Sequence, residues 1–205
     1  MQPTPDISQF RYNNNAQRWT NVSTGRFVPE QSVISEMRRH QTATYSTLNG
    51  LTRDLYAGRI NLAQWEIAVA SQLKDAHLAQ AIFAVGGRAN MGAAEFGRVG
   101  GTLRDEYRYL SRFANQIASG QISEKQALAR IQQYGNATQQ SYWREYALAS
   151  DGLVNWVLRP GESCGDCIGL ASASPYKASE LPTFPGAGAT ECRGNCNCVL
   201  DRVAV

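Results

Sequence analysis

The chain has 205 residues, enough for one domain with a small appendage and for a core that needs no cysteine staples. Apolar residues make up 43% and charged residues only 18%, and the formal net charge of +3 is too weak to mark a duplex-binding surface. No run approaches the ~20 apolar residues of a spanning helix, and the N-terminus lacks the basic and apolar regions of a secretory signal. We therefore expect synthesis in a cytosol and no membrane partner.

Residues 1–28 are rich in Pro, Asn, Gln, Ser and Thr and have no sustained periodicity, which predicts an extended N-terminal arm. Its spaced apolar residues Trp19, Val22 and Phe27 suit a segment that lies against its own domain or a partner.

Residues 29–152 read as a helical bundle. Pro29 suits a first helical turn, and the stretch through Val33, Ile34 and Met37 opens the first helix. The basic doublet Arg38–Arg39 within it reads as a solvated helix face. The second helix starts at a capping box, Asn61 with Gln64, and carries Leu62, Trp65, Val69, Leu73 and Ala76 at helical steps. Leu78, Ile82 and Val85 continue on a neighbouring stripe until Gly86–Gly87 ends it. A third helix begins near Val99, with Leu103, Tyr107, Leu110, Ala114 and Ile117 forming a packing seam and the preceding Gly100–Gly101 read as a boundary. The fourth opens at the box Ser123 and Gln126 and runs through QALARIQQYGNATQQSYWREYALA to Ala149, with Gly135 as its weak point. The segments AGRINLAQ (57–64) and SGQISEKQ (119–126) echo one another, and the simpler reading is convergent helix punctuation rather than a duplicated hairpin.

From residue 153 to 205 the texture becomes loop-rich, and all five cysteines fall here. Cys164 and Cys167 form a C-x-x-C pair, followed by Cys192, Cys196 and Cys198. Two thiol groups brought together from separate loops are the usual supply for tetrahedral zinc, and a metal offsets the small apolar area such a module buries. The expected ligands are Cys164, Cys167, Cys192 and Cys196, with Cys198 as the substitute for Cys196, and Gly165 and Gly194 are expected to make the tight turns. A disulfide pair is the main alternative. A thioredoxin-like centre is disfavoured, because it wants C-x-x-C at a helix N-terminus in a βαβ frame. His40 and His77 sit on helical stretches, and the sequence pairs neither with a nucleophile, so no catalytic residue is assigned.

The tail pattern W-V-x-x-P-G-E-S-C-G-D-C, then S-P-Y, L-P-T-F-P-G-A-G and C-R-G-N-C-N-C-V-L, resembles the C-terminus of tailed-bacteriophage head-morphogenesis proteins, the Mu F-like minor head family. STGRFV and GRVGGTLRDEYRYLSRF upstream resemble phage proteins of this kind as well. Where the family has a His just before its final Cys pair, this chain has Cys192, displaced by one position. The resemblance implies a non-enzymatic virion protein made in the host cytoplasm. It would be homo-oligomeric in the particle and assemble with portal or capsid subunits. The competing expectations are a zinc-ribbon nucleic-acid-binding protein, whose knot would offer only Lys177, Arg193 and Arg202 as cations, and a hydrolase or redox enzyme.

Overall fold

The computed structural model of the chain describes residues 9–13, 16, 18–149, 152–161 and 163–203. Six α-helices dominate it: α1 (Glu30–Tyr56), α2 (Leu62–Ala84), α3 (Ala93–Ala118), α4 (Glu124–Ala137), α5 (Gln139–Leu148) and α6 (Gly165–Ser172). Strands β1 (Phe10–Asn13), β2 (Arg18–Asn21) and β3 (Phe27–Val28) precede them, and β4 (Leu153–Val157), β5 (Tyr176–Lys177) and β6 (Val199–Arg202) lie in the C-terminal region. The architecture is mainly α, a helical bundle with a cysteine-bearing C-terminal module. No described helix is long and apolar enough to cross a membrane.

The described part of the N-terminal arm is extended, and its strands pair into an antiparallel sheet in the order β1-β2-β3. Residues 1–8, 14, 15 and 17 of the expected arm lie outside the described residues, as do 150 and 151 at the end of the expected bundle and 162, 204 and 205 of the C-terminal module. The sheet docks through Phe10 and Trp19 onto Val33 and Phe83, while Val22 and Phe27 stay exposed. Tyr12 N–H donates to the Gly86 carbonyl at 2.6 Å. Gly86 has a φ of +80°, and a Cβ there would lie 2.6 Å from that of Tyr12. The Gly86–Gly87 pair thus both ends α2 and seats β1.

Helix starts follow local chemistry. Gln64 N–H donates to Asn61 Oδ1 and Asn61 N–H to Gln64 Oε1, each at 2.9 Å, so the first capping box forms in full. The Ser123–Gln126 box forms as well. Gly58 and Gly120, the matching glycines of the two echoed segments, adopt φ values of +70° and +71°. The two hairpins are nonetheless unlike. α1 packs on α2 and α4, and α2 packs on α1, α3 and α5. The first half of α3 stands away from α4 across an open groove, so the echo is shared punctuation.

Two glycine readings need correction. Gly100 and Gly101 lie inside α3, which starts six residues before Val99. Gly92 N–H donates to Glu95 Oε2 at 2.8 Å, and this cap fixes the earlier start. The fourth predicted helix divides at Thr138, not at Gly135. Gly135 is the close-approach point of α4 on α1, where a Cβ would lie 2.6 Å from the Tyr45 ring.

The centre of the bundle joins Trp65, Val69 and Leu73 of α2 to Leu110 and Phe113 of α3 and Ile131 of α4. Trp65 and Phe113 meet edge to face with centroids 5.4 Å apart. α2 buries residues on every side at its C-terminal end, where Ala79, Gln80, Ala81, Ile82 and Phe83 are all buried, while Ile67, Ser71 and Lys74 keep one face of its first half exposed.

Candidate metal centre

The C-terminal module is built on the sheet β5-β4-β6. β4 and β6 pair antiparallel with Trp156 opposite Leu200, and both side chains are buried. Their partners in the core are Val154, Ala147 of α5, and the thiols of Cys167, Cys196 and Cys198. Arg202 clamps the sheet to α5: Nη2–H donates to the Tyr146 carbonyl at 2.7 Å, and the guanidinium lies over the Tyr146 ring.

The five cysteines converge. Sulfurs of Cys164, Cys167 and Cys192 lie within 4.8 Å of one another, and so do those of Cys167, Cys196 and Cys198. Cys167 belongs to both triads and is 3.7 Å from Cys192 and 3.7 Å from Cys196. The S···S edge of a tetrahedron with metal–sulfur bonds of about 2.3 Å is about 3.8 Å. A disulfide needs about 2.05 Å, so the 3.7 Å edges fit a metal ion and not a bond between the sulfurs.

Local folding supplies this convergence differently from the expectation. Cys164 is the N-cap of α6, so the C-x-x-C sulfurs meet across one helical turn, and Gly165 is simply its first helical residue. In the other group, the residue with positive φ is Arg193 at +51°, within a 3-10 turn over Arg193–Asn195. Gly194 instead lets this turn pack on α4, where a Cβ would lie 2.7 Å from the Gln133 carbonyl oxygen. Two hydrogen bonds buckle the thiol segments together: Gly165 N–H donates to Glu191 Oε2 at 3.1 Å, and Glu191 N–H to Asp166 Oδ2 at 2.9 Å. From α5, Gln139 Nε2–H donates to the Cys196 carbonyl at 2.9 Å.

Thiol electrostatics point to a cation. Burial, then the neighbouring thiols, pushes the Cys167 thiol far above its usual range. Cys196 is pushed up to about 12, chiefly by burial, although the Cys198 N–H directed at its sulfur opposes this. At Cys164 burial also acts upward, but the backbone N–H groups of Cys167 and Cys192 outweigh it, and its value falls below the usual one. Packed thiolates without a cation repel one another, and a bound metal inverts that balance by deprotonating its ligands. The cluster can therefore hold a metal ion. A cavity of about 60 Å³ beside it, bounded partly by Cys164, Cys167, Cys192 and Cys198, has room for a few waters. An ion among sulfurs 3.7 Å apart needs no such cavity.

The C-x-x-C does cap a helix, the position a thioredoxin-like centre wants, but it follows an antiparallel strand rather than a βαβ frame.

His77 has the partners that the sequence did not reveal. Nε2–H donates to the Glu106 carboxylate at 2.9 Å, and Nδ1 is hydrogen-bonded to the Ser141 hydroxyl at 2.7 Å. His77 is 0% and Ser141 1% exposed, so this trio ties α2, α3 and α5 together inside the bundle. Its partners lie 29 and 64 residues away in sequence, beyond any local motif. His40 is also buried, on α1.

No family model, no curated protein and no solved structure matches this chain.

Proposed function

We propose that the chain is a structural protein of a tailed-phage particle, a minor head or portal-vertex component. It acts through contacts with portal or capsid subunits and carries out no chemistry. A structural zinc on Cys164, Cys167, Cys192 and Cys196 locks its C-terminus.

The observation that carries this reading is the fate of the residues that bear the phage resemblance. Trp156, Cys167, Cys196, Cys198 and Leu200 pack into one core, with Cys164 and Cys192 against it. The pattern is thus a folding pattern, and its thiols are committed to holding the module closed. An all-sulfur donor set suits zinc, which would contribute the folding free energy this small sheet lacks. Backbone N–H groups directed at the sulfurs of Cys164 and Cys196 support these two as thiolate ligands. The Ser141–His77–Glu106 set is consistent with a non-enzymatic role, because its hydroxyl is sealed within the bundle.

Mass spectrometry of purified particles, with metal analysis of the purified protein, tests this. The expected result is a few copies per particle and one zinc per chain, with five free thiols after denaturation in chelator. Absence from particles that form normally without the protein would sink the virion role. Fewer than five thiols would sink the metal site in favour of a disulfide.

A further inference from the structure

An open groove of about 1130 Å³ runs between the first half of α3, α4, α5 and the metal module, whose Ala187–Gly188 loop and Arg193–Gly194 turn form one wall. Five arginines line it: Arg98, Arg104, Arg130, Arg144 and Arg193. Two of them are committed to the protein. Arg98 is held by Glu145 and Glu95 at 2.5 and 2.7 Å, and Arg130 donates to Gln116 at 2.5 Å while lying over Phe113.

The other three have charge to spare. Arg144, on the floor, donates to Thr102 at 2.7 Å and has no carboxylate ion pair among the described residues. Burial lowers its pKa, and the attraction of Glu145, larger than the repulsion from Arg98, does not offset that burial. Arg104 is exposed, with only a loose 3.5 Å approach to Asp105. Arg193 is exposed on the opposite wall and has no ion pair among the described residues. Guanidinium forks on two walls and a floor are matched by carboxylate or phosphate oxygens.

The number of available cations decides between those ligands. A nucleic-acid strand brings a charge at every nucleotide, and here it would meet three uncommitted arginines along with the groove's own Asp105 and Glu106. A peptide brings one or two carboxylates at intervals, and its backbone needs both donors and acceptors. Gln133 and Gln140 line the groove with such amides, and Ala129 and Ala137 leave room for a main chain. We infer that this groove binds an extended segment of a partner protein that carries one or two acidic side chains, seated between Arg104 and Arg193 over Arg144. This requires only a protein partner, and it stands whether or not that partner belongs to a virion.

The test uses the full, metal-loaded chain and fluorescence anisotropy. The probes are a labelled serine/alanine octapeptide with two glutamates three residues apart, its two-glutamine counterpart, and a labelled oligothymidylate of twelve nucleotides. The glutamate peptide should bind at least about tenfold more tightly than the glutamine peptide, the scale of one charge-assisted contact. Arg104→Glu combined with Arg193→Asn should weaken it by at least about tenfold, with helix content and zinc content unchanged; Asn tolerates the positive φ at 193. Arg104→Glu alone lies on the α3 wall, away from the thiols, so its loss of binding is read independently of the metal turn. Equal binding of the two peptides, no saturable binding up to about 1 mM, or an unchanged Arg104→Glu variant would each overturn the inference. Tighter binding of the oligonucleotide than of the glutamate peptide would overturn it in favour of nucleic acid.

Discussion

Whether Cys196 or Cys198 completes the metal set can be decided by replacing each with Ser. Both are buried, at 1% and 5% exposure, so burial does not separate them. Both sulfurs lie within 4.8 Å of that of Cys167; for Cys196 the distance is 3.7 Å, and its sulfur also receives the Cys198 backbone N–H. A structural zinc contributes about 10–16 kcal/mol of apparent binding free energy. Divided over four thiolates, this gives about 3 kcal/mol for each, or about a hundredfold in affinity. Cys196→Ser should therefore lose about a hundredfold in zinc affinity, read by competition with a chromophoric chelator. Cys198→Ser should lose less than about fivefold, because four thiolates remain, and should cost only about 1 kcal/mol of stability for the buried hydroxyl. The cobalt(II) form gives a second readout, since its ligand-field spectrum responds to the number of sulfur donors. If Cys198→Ser loses the hundredfold and Cys196→Ser keeps its metal, the N–H argument is wrong. If both lose equally, the two positions share the site.

Three further predictions concern the body and its junction with the module. His77→Ala leaves the Glu106 carboxylate and the Ser141 hydroxyl without their partner, and should cost about 3–5 kcal/mol in urea denaturation; less than about 1 kcal/mol would show that the trio adds little. His40 has a pKa below its ordinary 6.5 because burial outweighs the attraction of Asp75, so the unfolded chain takes up that proton first as pH falls. Its contribution should be intact above pH 6.5 and lost progressively below it, seen as a stability difference between wild type and His40→Gln that changes across that range; a constant difference refutes it. Gly194→Ala brings a Cβ to 2.7 Å from backbone, so it should destabilise by about 1–3 kcal/mol and also weaken zinc binding, measured by thermal melting and chelator competition; unchanged values would mean the turn moves freely.

Much of the bundle was legible because its signals are local. Asn61 and Ser123 cap their helices through contacts three residues long, and Trp65, Val69 and Leu73 repeat at helical steps and are fully buried. The cysteine convergence was legible for a different reason: soft ligands in two spaced groups have few other uses. What escaped depends on distant contacts. Phe113 falls off the expected α3 seam, yet it sits at the centre of the core because α4 brings Tyr134 and Arg130 against it. Gly194 was expected to make a turn and Gly135 to weaken its helix, and the role of both is to let another element approach. The strands β1 to β3 are too short and polar to show alternation, and their pairing is set by docking on Gly86 and Phe83.

A metal held by this cluster would also explain why a 205-residue chain with a sufficient core gathers its thiols in one module. The module's own sheet is small, with β5 only two residues long, so apolar burial alone gives it little independent stability. Its contacts with the body run largely through the metal turn. Gly194 packs on α4, Asn136 donates to Asn195 at 2.5 Å, and Gln139 donates to the carbonyls of Gly194 and Cys196 at 3.3 and 2.9 Å. Asn136 is in turn bonded to Tyr45 of α1, so the chain of contacts reaches across the bundle. If Cys192 and Cys196 share one ion as proposed, that ion would fix this turn, which packs on α4 and is bonded by Gln139 of α5. A disulfide between any two of the cysteines would close a single loop, whereas one ion with four thiolates orients both segments at once. On the proposed ligand set, an ion would therefore fix the turn that carries Arg193, and with it one wall of the groove.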